Sequence, residues 1–256
     1  MDLTYCDAHL HLVQCTELAS KPISEAFPPK YRCCTCSHDE KEFNFQFELT
    51  KDYPQNVVQS FGLHPQNPDL SLLPFLESLL SEDKISAIGE TGMDLFTQEY
   101  RENRQNQIEA WHSCLELAVE YKKTVVIHNR KALDQMFSDI KLLKRAKCIV
   151  FHSFAFGPRE AHSLLDKGLN AYFSFGKPII NGNKKSIACI RELPAERILL
   201  ETDAPFQTLK GEEFTSVSDI KKVYEEASAL RGTAMPALCV QIEKNFMDAY
   251  CVKESR

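Results

Sequence analysis

The chain has 256 residues, of which 43% are hydrophobic and 26% are charged, and its formal net charge is −6. This length fits a single α/β barrel, and the composition is that of an ordinary globular protein. The negative net charge excludes a broad basic surface of the kind that binds nucleic acid without sequence preference, so any contact with nucleic acid must be local.

The N-terminus and the ten cysteines bear on the cellular compartment. The opening residues, MDLTYCDAHL, show no basic segment followed by a long apolar run, and no stretch has the apolar length of a membrane span. We therefore expect a cytoplasmic protein without membrane contact. Its cysteines are expected to be reduced and to act mostly as small buried hydrophobic residues.

Short strand-like runs alternate with helical patterns along the whole chain. The eight candidate strands are residues 3–9, 31–37, 57–63, 84–90, 124–128, 148–152, 170–176 and 197–203. Three of them, TVVIH, CIVFH and RILLETD, are nearly continuously apolar, as expected of parallel strands buried on both faces. The alternation predicts one (β/α)8 TIM-type barrel domain over residues 1–256, with a doubly wound open sheet as the alternative.

The clearest helical pattern spans residues 98–122, where apolar residues recur at intervals of three and four. The stripe consists of Ile108, Trp111, Leu115, Ala118 and Val119, closed by the aliphatic stem of Lys122. Ser218 is predicted to cap a helix that ends before Gly232, and Thr233 to cap an extra C-terminal helix. The proline-rich segment 21–30 predicts a degenerate first crossover helix.

Residue types that bind metal ions recur where the predicted strands end. His9 and His11 are two apart, so in a strand they project from the same face. The other candidates are Glu90 on the fourth strand, His128 on the fifth, His152 on the sixth and Asp203 on the eighth. All strand C-termini of a barrel meet at one mouth, where active sites lie. Four histidines and two carboxylates are therefore expected to converge there.

Each of these residues alone also fits a structural role, as a hydrogen-bonded buried histidine or as a helix N-cap. The repetition of the same placement on five strands favours a metal site. Six ligands exceed the three or four protein ligands of one zinc ion and fit two cations bridged by a carboxylate, for which Glu90 is the central candidate. Histidine ligands suit Zn, Mn, Fe, Co or Ni, and the carboxylates also admit Mg.

Six stretches occur in order along the chain, namely CDAHLHL, GLHP, AIGETGMDL, VVIHNR, FHSF and LLETDAPF, and NFMDAY follows near the C-terminus. The six stretches resemble the TatD family of metal-dependent hydrolases and deoxyribonucleases, within the amidohydrolase-like barrels, and NFMDAY resembles the C-terminal helix motif of that family. The resemblance implies two metal sites bridged by Glu90, the first with His9, His11 and Asp203 and the second with His128 and His152. It also implies that Asp203 orients or deprotonates the attacking water.

Two further residues are candidates for substrate binding. The resemblance places His64, in GLHP, near the substrate phosphate, although a structural role in the turn before Pro65 fits equally. The forked guanidinium of Arg130 suits a phosphate oxygen and also fits a surface ion pair. The chain departs from the family pattern at Val13, where an acidic residue is usual, and in SFAFG (153–157), where a segment like Cys-Phe-Ser-Gly is usual. The loop after the sixth strand is therefore expected to shape the pocket differently.

Two other motifs have weaker functional interpretations. Cys33 and Cys36 form a CxxC, but in a strand they face opposite sides, which favours a structural role over a zinc or redox pair. Segment 176–185 lacks the spacing of a phosphate-binding P-loop and is expected at the mouth of the barrel. There Lys177, Lys184 and Lys185 are candidates for contact with a polyanion.

Three functions fit this set of residues. The first is a two-metal hydrolase of phosphodiesters that acts as a deoxyribonuclease on DNA ends. The second is the hydrolysis of an ester or amide, such as an aminoacyl ester on tRNA, because the same activated water can attack either centre. The third is a binding barrel that has kept its metals without catalysis, against which the intact set of six ligands argues. No obligate protein partner is evident.

Overall fold

The computed structural model describes residues 3–18 and 30–250, and within them eight parallel strands form one sheet in chain order. The strands are β1 (Tyr5–Leu10), β2 (Tyr31–Ser37), β3 (Val57–Phe61), β4 (Ala87–Asp94), β5 (Thr124–Arg130), β6 (Cys148–Phe151), β7 (Ala171–Phe175) and β8 (Ile198–Leu200). The backbone N–H of Asp203, just after β8, donates to the carbonyl of His9 in β1 at 2.9 Å and joins the two ends of the sheet. The predicted TIM-type barrel is confirmed.

Helices alternate with these strands on the outside of the barrel. They are α1 (Leu12–Leu18), α2 (Glu40–Thr50), α3 (Leu73–Ser81), α4 (Gln98–Glu102), α5 (Arg104–Glu120), α6 (Leu133–Ser138), α7 (Ile140–Leu143), α8 (Pro158–Asp166), α9 (Lys184–Glu192), α10 (Ile220–Arg231) and α11 (Met235–Tyr250). No helix in residues 3–18 and 30–250 combines the length and the apolar character needed to cross a membrane. The predicted segment 21–30 lies, apart from its last residue, outside the described residues.

The long helical pattern at 98–122 differs from the prediction at both ends. It forms two helices, α4 and α5, which meet at Asn103. Lys122 lies beyond α5, is exposed and has a φ of 52°, so its stem does not extend the apolar stripe. The buried face of α5 includes the predicted Trp111 and Leu115.

The C-terminal helices follow the predicted order with shifted caps. A 3-10 turn at Val217–Asp219 precedes α10, and its cap is Ser216 rather than Ser218. Gly232 ends α10 with a φ of 62°, as predicted, because glycine tolerates the left-handed region without steric strain. The extra helix α11 is present and begins at Met235. The carbonyl of Ala234 accepts the hydrogen bond from the N–H of Leu238, so Ala234 and not Thr233 directly precedes the first turn.

Helix α11 is fastened to the barrel by polar contacts as well as by apolar packing. Asn245, within the NFMDAY motif, donates from its amide to the carbonyls of Ala195 and Ile198, both at 2.7 Å. The hydroxyl of Tyr250 donates to the carbonyl of Ala8 in β1 at 2.6 Å. These bonds satisfy buried backbone carbonyls around β8 and β1, the two strands that carry metal-binding candidates and close the barrel.

Two strands depart from regular pairing at the candidate ligands. The register of β1 against β2 shifts between Asp7 and Leu10, and that of β4 against β5 shifts between Ile88 and Thr91. Glu90 therefore lies inside β4, in an irregular stretch, and not at the end of a strand. Irregular pairing of this kind re-aims side chains and is common beside active sites. Gly62 permits the close approach of β4, because a Cβ there would lie 2.6 Å from the carbonyl oxygen of Glu90.

Candidate metal centre

The structure brings the side chains of all six predicted ligands together at the C-terminal mouth of the barrel. In the first cluster, Nε2 of His9 and Nε2 of His11 are 3.3 Å apart, and each lies 3.3 Å from Oε2 of Glu90. Oδ1 of Asp203 lies 3.5 Å from both nitrogens. Four donor atoms from three strand regions therefore surround one point.

These separations are those of a tetrahedral ligand shell. Donor atoms at about 2.0–2.1 Å from a zinc ion, arranged as a tetrahedron, are about 3.3–3.4 Å apart. Neutral imidazole nitrogens and carboxylate oxygens at these positions present lone pairs to one another, an arrangement that needs a cation or protons between them. The first cluster thus fits a divalent metal ion by both its chemistry and its dimensions.

A second cluster uses the other oxygen of the same carboxylate. Oε1 of Glu90 lies 2.5 Å from Nε2 of His152 and 3.1 Å from Nδ1 of His128, and these two nitrogens are 3.2 Å apart. His64 adds a more distant nitrogen, since its Nε2 lies 3.7 Å from Oε1. Glu90 is 2% exposed, and its buried carboxylate lies between the two groups of nitrogens.

Outer partners fix the orientation of several of these rings. Nε2 of His128 donates to Oδ2 of Asp94 at 3.1 Å, which leaves Nδ1 as the nitrogen that faces Oε1 of Glu90. Nδ1 of His9 lies 3.4 Å from the thiol of Cys36. Hydrogen bonds from metal-binding histidines to a further polar group are typical of metal sites, because they hold the tautomer and the ring plane. Cys36 therefore contacts the ring of a candidate ligand and does not pair with Cys33.

The histidines of the cluster have strongly divergent pKa values. Burial lowers the pKa of His9 to about 4, and the neighbouring His152 acts in the same direction. Burial also opposes protonation of His11 and His152. Hydrogen bonds from His11 to the carboxylates of Asp203 and Glu90 nevertheless raise the pKa of His11 to about 10, and the charge of Glu90 raises that of His152 to about 9.

The carboxylates show the opposite response. Burial would raise the pKa of Glu90, but the charges of the surrounding histidines hold it well below its ordinary value. The pKa of Asp203 is also lowered against burial, through its hydrogen bond with His11. The protein without metal therefore balances its buried carboxylates with protons on histidine, and these protons occupy the positions that cations would take.

Metal binding is therefore expected to release protons. Ligand imidazoles must be neutral, so a cation has to displace the protons that His11 and His152 hold at neutral pH. Apparent affinity should rise as pH increases over about pH 6–9 and fall as pH decreases. Isothermal titration of metal-free protein in buffers of different ionisation enthalpy measures this release. A binding enthalpy that does not depend on the buffer would contradict it.

Three residues around the cluster were not singled out from the sequence. Asp94 is in β4 four residues after Glu90, and the period of two along a strand was the signal that could have indicated it. Glu201 precedes Asp203 by two residues, and burial raises its pKa to about 8 against the pull of His152. His38 follows β2 and points Nε2 toward Oε2 of Glu90 at 3.5 Å, while its Nδ1 donates to the carbonyl of Gly62.

The two predicted substrate residues also reach the mouth. The backbone N–H of Gln66 donates to Nδ1 of His64 at 3.3 Å. The proton of the neutral His64 ring is therefore on Nε2, which faces Glu90 as a donor. Burial lowers the pKa of His64 to about 4, so the ring is neutral. Arg130 ends β5, and its Nη1 lies 3.6 Å from Oδ2 of Asp94. Both line a cleft of about 540 Å³ above the two clusters.

The loops around the cleft bear on two of the remaining sequence interpretations, the SFAFG segment and Lys177. Ser153 and Ala155 of the atypical SFAFG segment line the cleft, whereas Phe156 packs against the core. Lys177 is fully buried and paired with Glu212 at 2.5 Å and with Asp219 at 2.7 Å, so it is not free to meet a polyanion. Its role is to hold the segment after β8 against the segment after β7.

Comparison with known proteins identifies the family. The family model described as "TatD related DNase" matches residues 6–251. The chain belongs to the TatD family. This match confirms the resemblance seen in the sequence motifs and covers every residue of the two clusters.

The TatD relatives and structures cover most of the chain. YcfH of Escherichia coli K12, named an uncharacterized metal-dependent hydrolase, is 30% identical over 207 residues, which are 78% of this chain and 76% of YcfH. The tatdn3 protein of Danio rerio, named as a candidate deoxyribonuclease, is 33% identical over 178 residues, 64% of this chain and 65% of that protein. The crystal structure of the TatD homologue YJJV from Escherichia coli superposes with a TM-score of 0.85 at 22% identity and covers 99% of this chain and 100% of YJJV.

Proposed function

We propose that this TatD-family protein is a hydrolase that uses two divalent metal ions to cleave phosphodiester bonds at the ends of DNA. One observation carries the proposal: the two carboxylate oxygens of Glu90 belong to two different clusters of donor atoms. A single buried carboxylate with one oxygen in each of two nitrogen-rich clusters is suited to bridge two cations.

The residues that would hold the ions follow from the distances. His9, His11 and Asp203 with Oε2 of Glu90 would hold one, and His128 and His152 with Oε1 would hold the other. The mixed nitrogen and oxygen donors suit Zn, Mn, Co or Ni, and Mg at lower preference. When bound, such ions polarise a phosphoryl group and make water more acidic.

Asp203 is proposed to accept the proton of the attacking water. Its Oδ1 faces the first cluster, while its Oδ2 accepts a hydrogen bond from Nε2 of Gln207 at 2.8 Å. Gln207 also donates to the hydroxyl of Ser153 at 2.9 Å, which holds the amide in place. The lowered pKa keeps Asp203 ionised and able to take up a proton.

His64 and Arg130 are proposed to bind the phosphate. The neutral His64 ring presents an N–H donor to the cleft, and hydrogen bonds to phosphate oxygens need such donors. The guanidinium of Arg130 lies 4.1 Å from the centre of the Phe96 ring and beside Asp94, so it is held at the rim. A forked cation in this position matches two phosphate oxygens.

Phosphodiesters are favoured over small esters by these rim residues together with the family. The matched family description and the name of the Danio rerio relative both refer to deoxyribonucleases. Local positive charge on an otherwise acidic protein is the arrangement expected if nucleic acid is bound at one site only. The nine cysteines that the structure describes are all buried, in keeping with their proposed use as small hydrophobic residues in a cytoplasmic protein.

The test is a substrate panel on protein depleted of metal and then reloaded with one ion at a time. The panel contains single-stranded DNA, a generic phosphodiester and an aminoacyl-tRNA. We expect nucleotides to be released from DNA ends, with loss of the activity on chelation and recovery on readdition. Hydrolysis of the aminoacyl ester with no cleavage of DNA would replace the proposal with an esterase function.

A further inference from the structure

Phe206 is a large apolar side chain left in solvent at the rim of the cleft. It is 50% exposed and lines the same cleft as the two clusters. Its ring meets the His11 ring nearly at right angles, with the ring centres 5.1 Å apart and the planes at 80°. An aromatic surface thus borders the first cluster and contacts one of its candidate metal ligands.

A tight turn holds the backbone of Phe206 beside the proposed base. The N–H of Phe206 donates to the carbonyl of Asp203 at 2.7 Å and closes a tight turn. The next residue, Gln207, has a φ of 52° and is tied to the Asp203 carboxylate by its side chain. The ring is therefore positioned by the same turn that positions the proposed base, and a group resting on it lies next to the reacting bond.

We propose that Phe206 forms a stacking subsite for a nucleobase of the nucleic-acid substrate, next to the scissile phosphate. This inference rests on the proposed nuclease function and deepens it. Every nucleobase offers a flat face to an aromatic side chain, so such a subsite recognises nucleic acid with little preference among the bases.

The opposite rim supports this assignment by its contrasting chemistry. The Phe96 ring has Arg130 at 4.1 Å and Lys131 at 4.4 Å from its centre, so it carries two cations. Among the residues that the structure describes, no lysine or arginine lies over Phe206, and half of this side chain is open to solvent. Arg130 borders the second cluster through Asp94, and Phe206 borders the first through His11. A strand with a base on Phe206 and its backbone directed toward Arg130 would therefore cross both clusters.

The kinetic signature of a stacking subsite differs from that of a residue that acts on the chemistry. Stacking is made equally in the bound substrate and in the transition state, so its loss raises KM and leaves kcat nearly unchanged. Removing one aromatic–base stack is expected to raise KM by about 5- to 150-fold. The loss should appear only for a substrate that has a base at the stacked position.

The experiment uses metal-loaded protein and short oligothymidylates in which the residue on one or the other side of the scissile bond is either intact or abasic. Phe206→Leu keeps an apolar contact with His11 but lacks the ring, and Phe206→Trp keeps a stacking face. Phe45→Ala is the matched control, because Phe45 is 49% exposed on α2 and does not line the cleft. We expect Phe206→Leu to raise KM for one intact substrate and not for its abasic counterpart, with Phe206→Trp and Phe45→Ala close to wild type.

Equilibrium binding of phosphorothioate oligothymidylates separates this inference from the proposed function. Base-dependent binding that Phe206→Leu weakens, in a protein that cleaves no DNA, would support the subsite and overturn the nuclease function. DNA cleavage in which Phe206→Leu affects intact and abasic substrates equally, or neither of them, would overturn the subsite and leave the nuclease function standing. Absence of both cleavage and binding would overturn both.

Discussion

Glu90→Gln is expected to remove one metal ion and nearly all activity while the fold stays intact. The substitution keeps the side-chain volume but replaces the negative charge between the two clusters with a neutral amide. An amide offers one oxygen and an NH2 group, so it cannot present a lone pair to both clusters at once. The loss should exceed the factor of about 10²–10³ that removal of one stabilising group in an active site typically costs.

Metal content and turnover of purified Glu90→Gln test this expectation, with circular dichroism as the check on folding. Glu201→Gln is the matched control, because it removes another fully buried carboxylate that lies 3.8 Å from Nδ1 of His152 but outside the two clusters. The control should keep both ions. Wild-type turnover of Glu90→Gln at full metal occupancy would refute the bridging role.

Asp203→Asn is expected to separate the chemistry from metal binding. Asparagine still offers an oxygen to an ion but is a poor base, so the ion held by Glu90, His128 and His152 should remain and substrate should bind nearly normally. The value of kcat should fall by about 10²–10⁴, the usual contribution of a positioned general base. An asparagine whose oxygen takes the place of Oδ1 at the first cluster turns its NH2 group toward Gln207, so the hydrogen bond that Oδ2 accepts from Nε2 of Gln207 is lost.

The decisive readout for Asp203→Asn is metal content and kcat measured on the same preparation. A kcat within a few-fold of wild type while both ions remain would show that Asp203 is at most a ligand. The proton acceptor would then have to be sought elsewhere; His64 faces the cleft, but its Nε2 already carries a proton and its Nδ1 accepts from Gln66, so it would have to change its tautomer to serve. Loss of both ions would instead show that Asp203 is needed for assembly of the centre.

The barrel could be predicted because its strands are buried on both faces. Runs such as TVVIH and CIVFH have no polar face to present to solvent, and they alternate with helical patterns. The convergence of His9, His128 and Asp203 followed from topology, since the C-termini of parallel strands meet at one mouth. These inferences needed only the order of the elements and no knowledge of side-chain positions.

Features that depend on register and local geometry could not be predicted. Glu90 lies inside β4, where an irregular pairing with β5 turns it into the mouth, and no residue pattern signals that irregularity. The role of Cys36 beside His9 depends on the alignment of β2 with β1. Lys177 appeared available to a polyanion until its carboxylate partners, more than thirty residues away in the chain, were seen beside it.

Anomalous diffraction from crystals of the zinc- or manganese-loaded protein would locate the ions directly. Two peaks about 3.5–4 Å apart are expected, one among His9, His11 and Asp203 and the other beside His128 and His152, with Glu90 between them. Ions bound away from the mouth, or a single ion that does not contact Glu90, would contradict a two-metal centre built on that shared carboxylate.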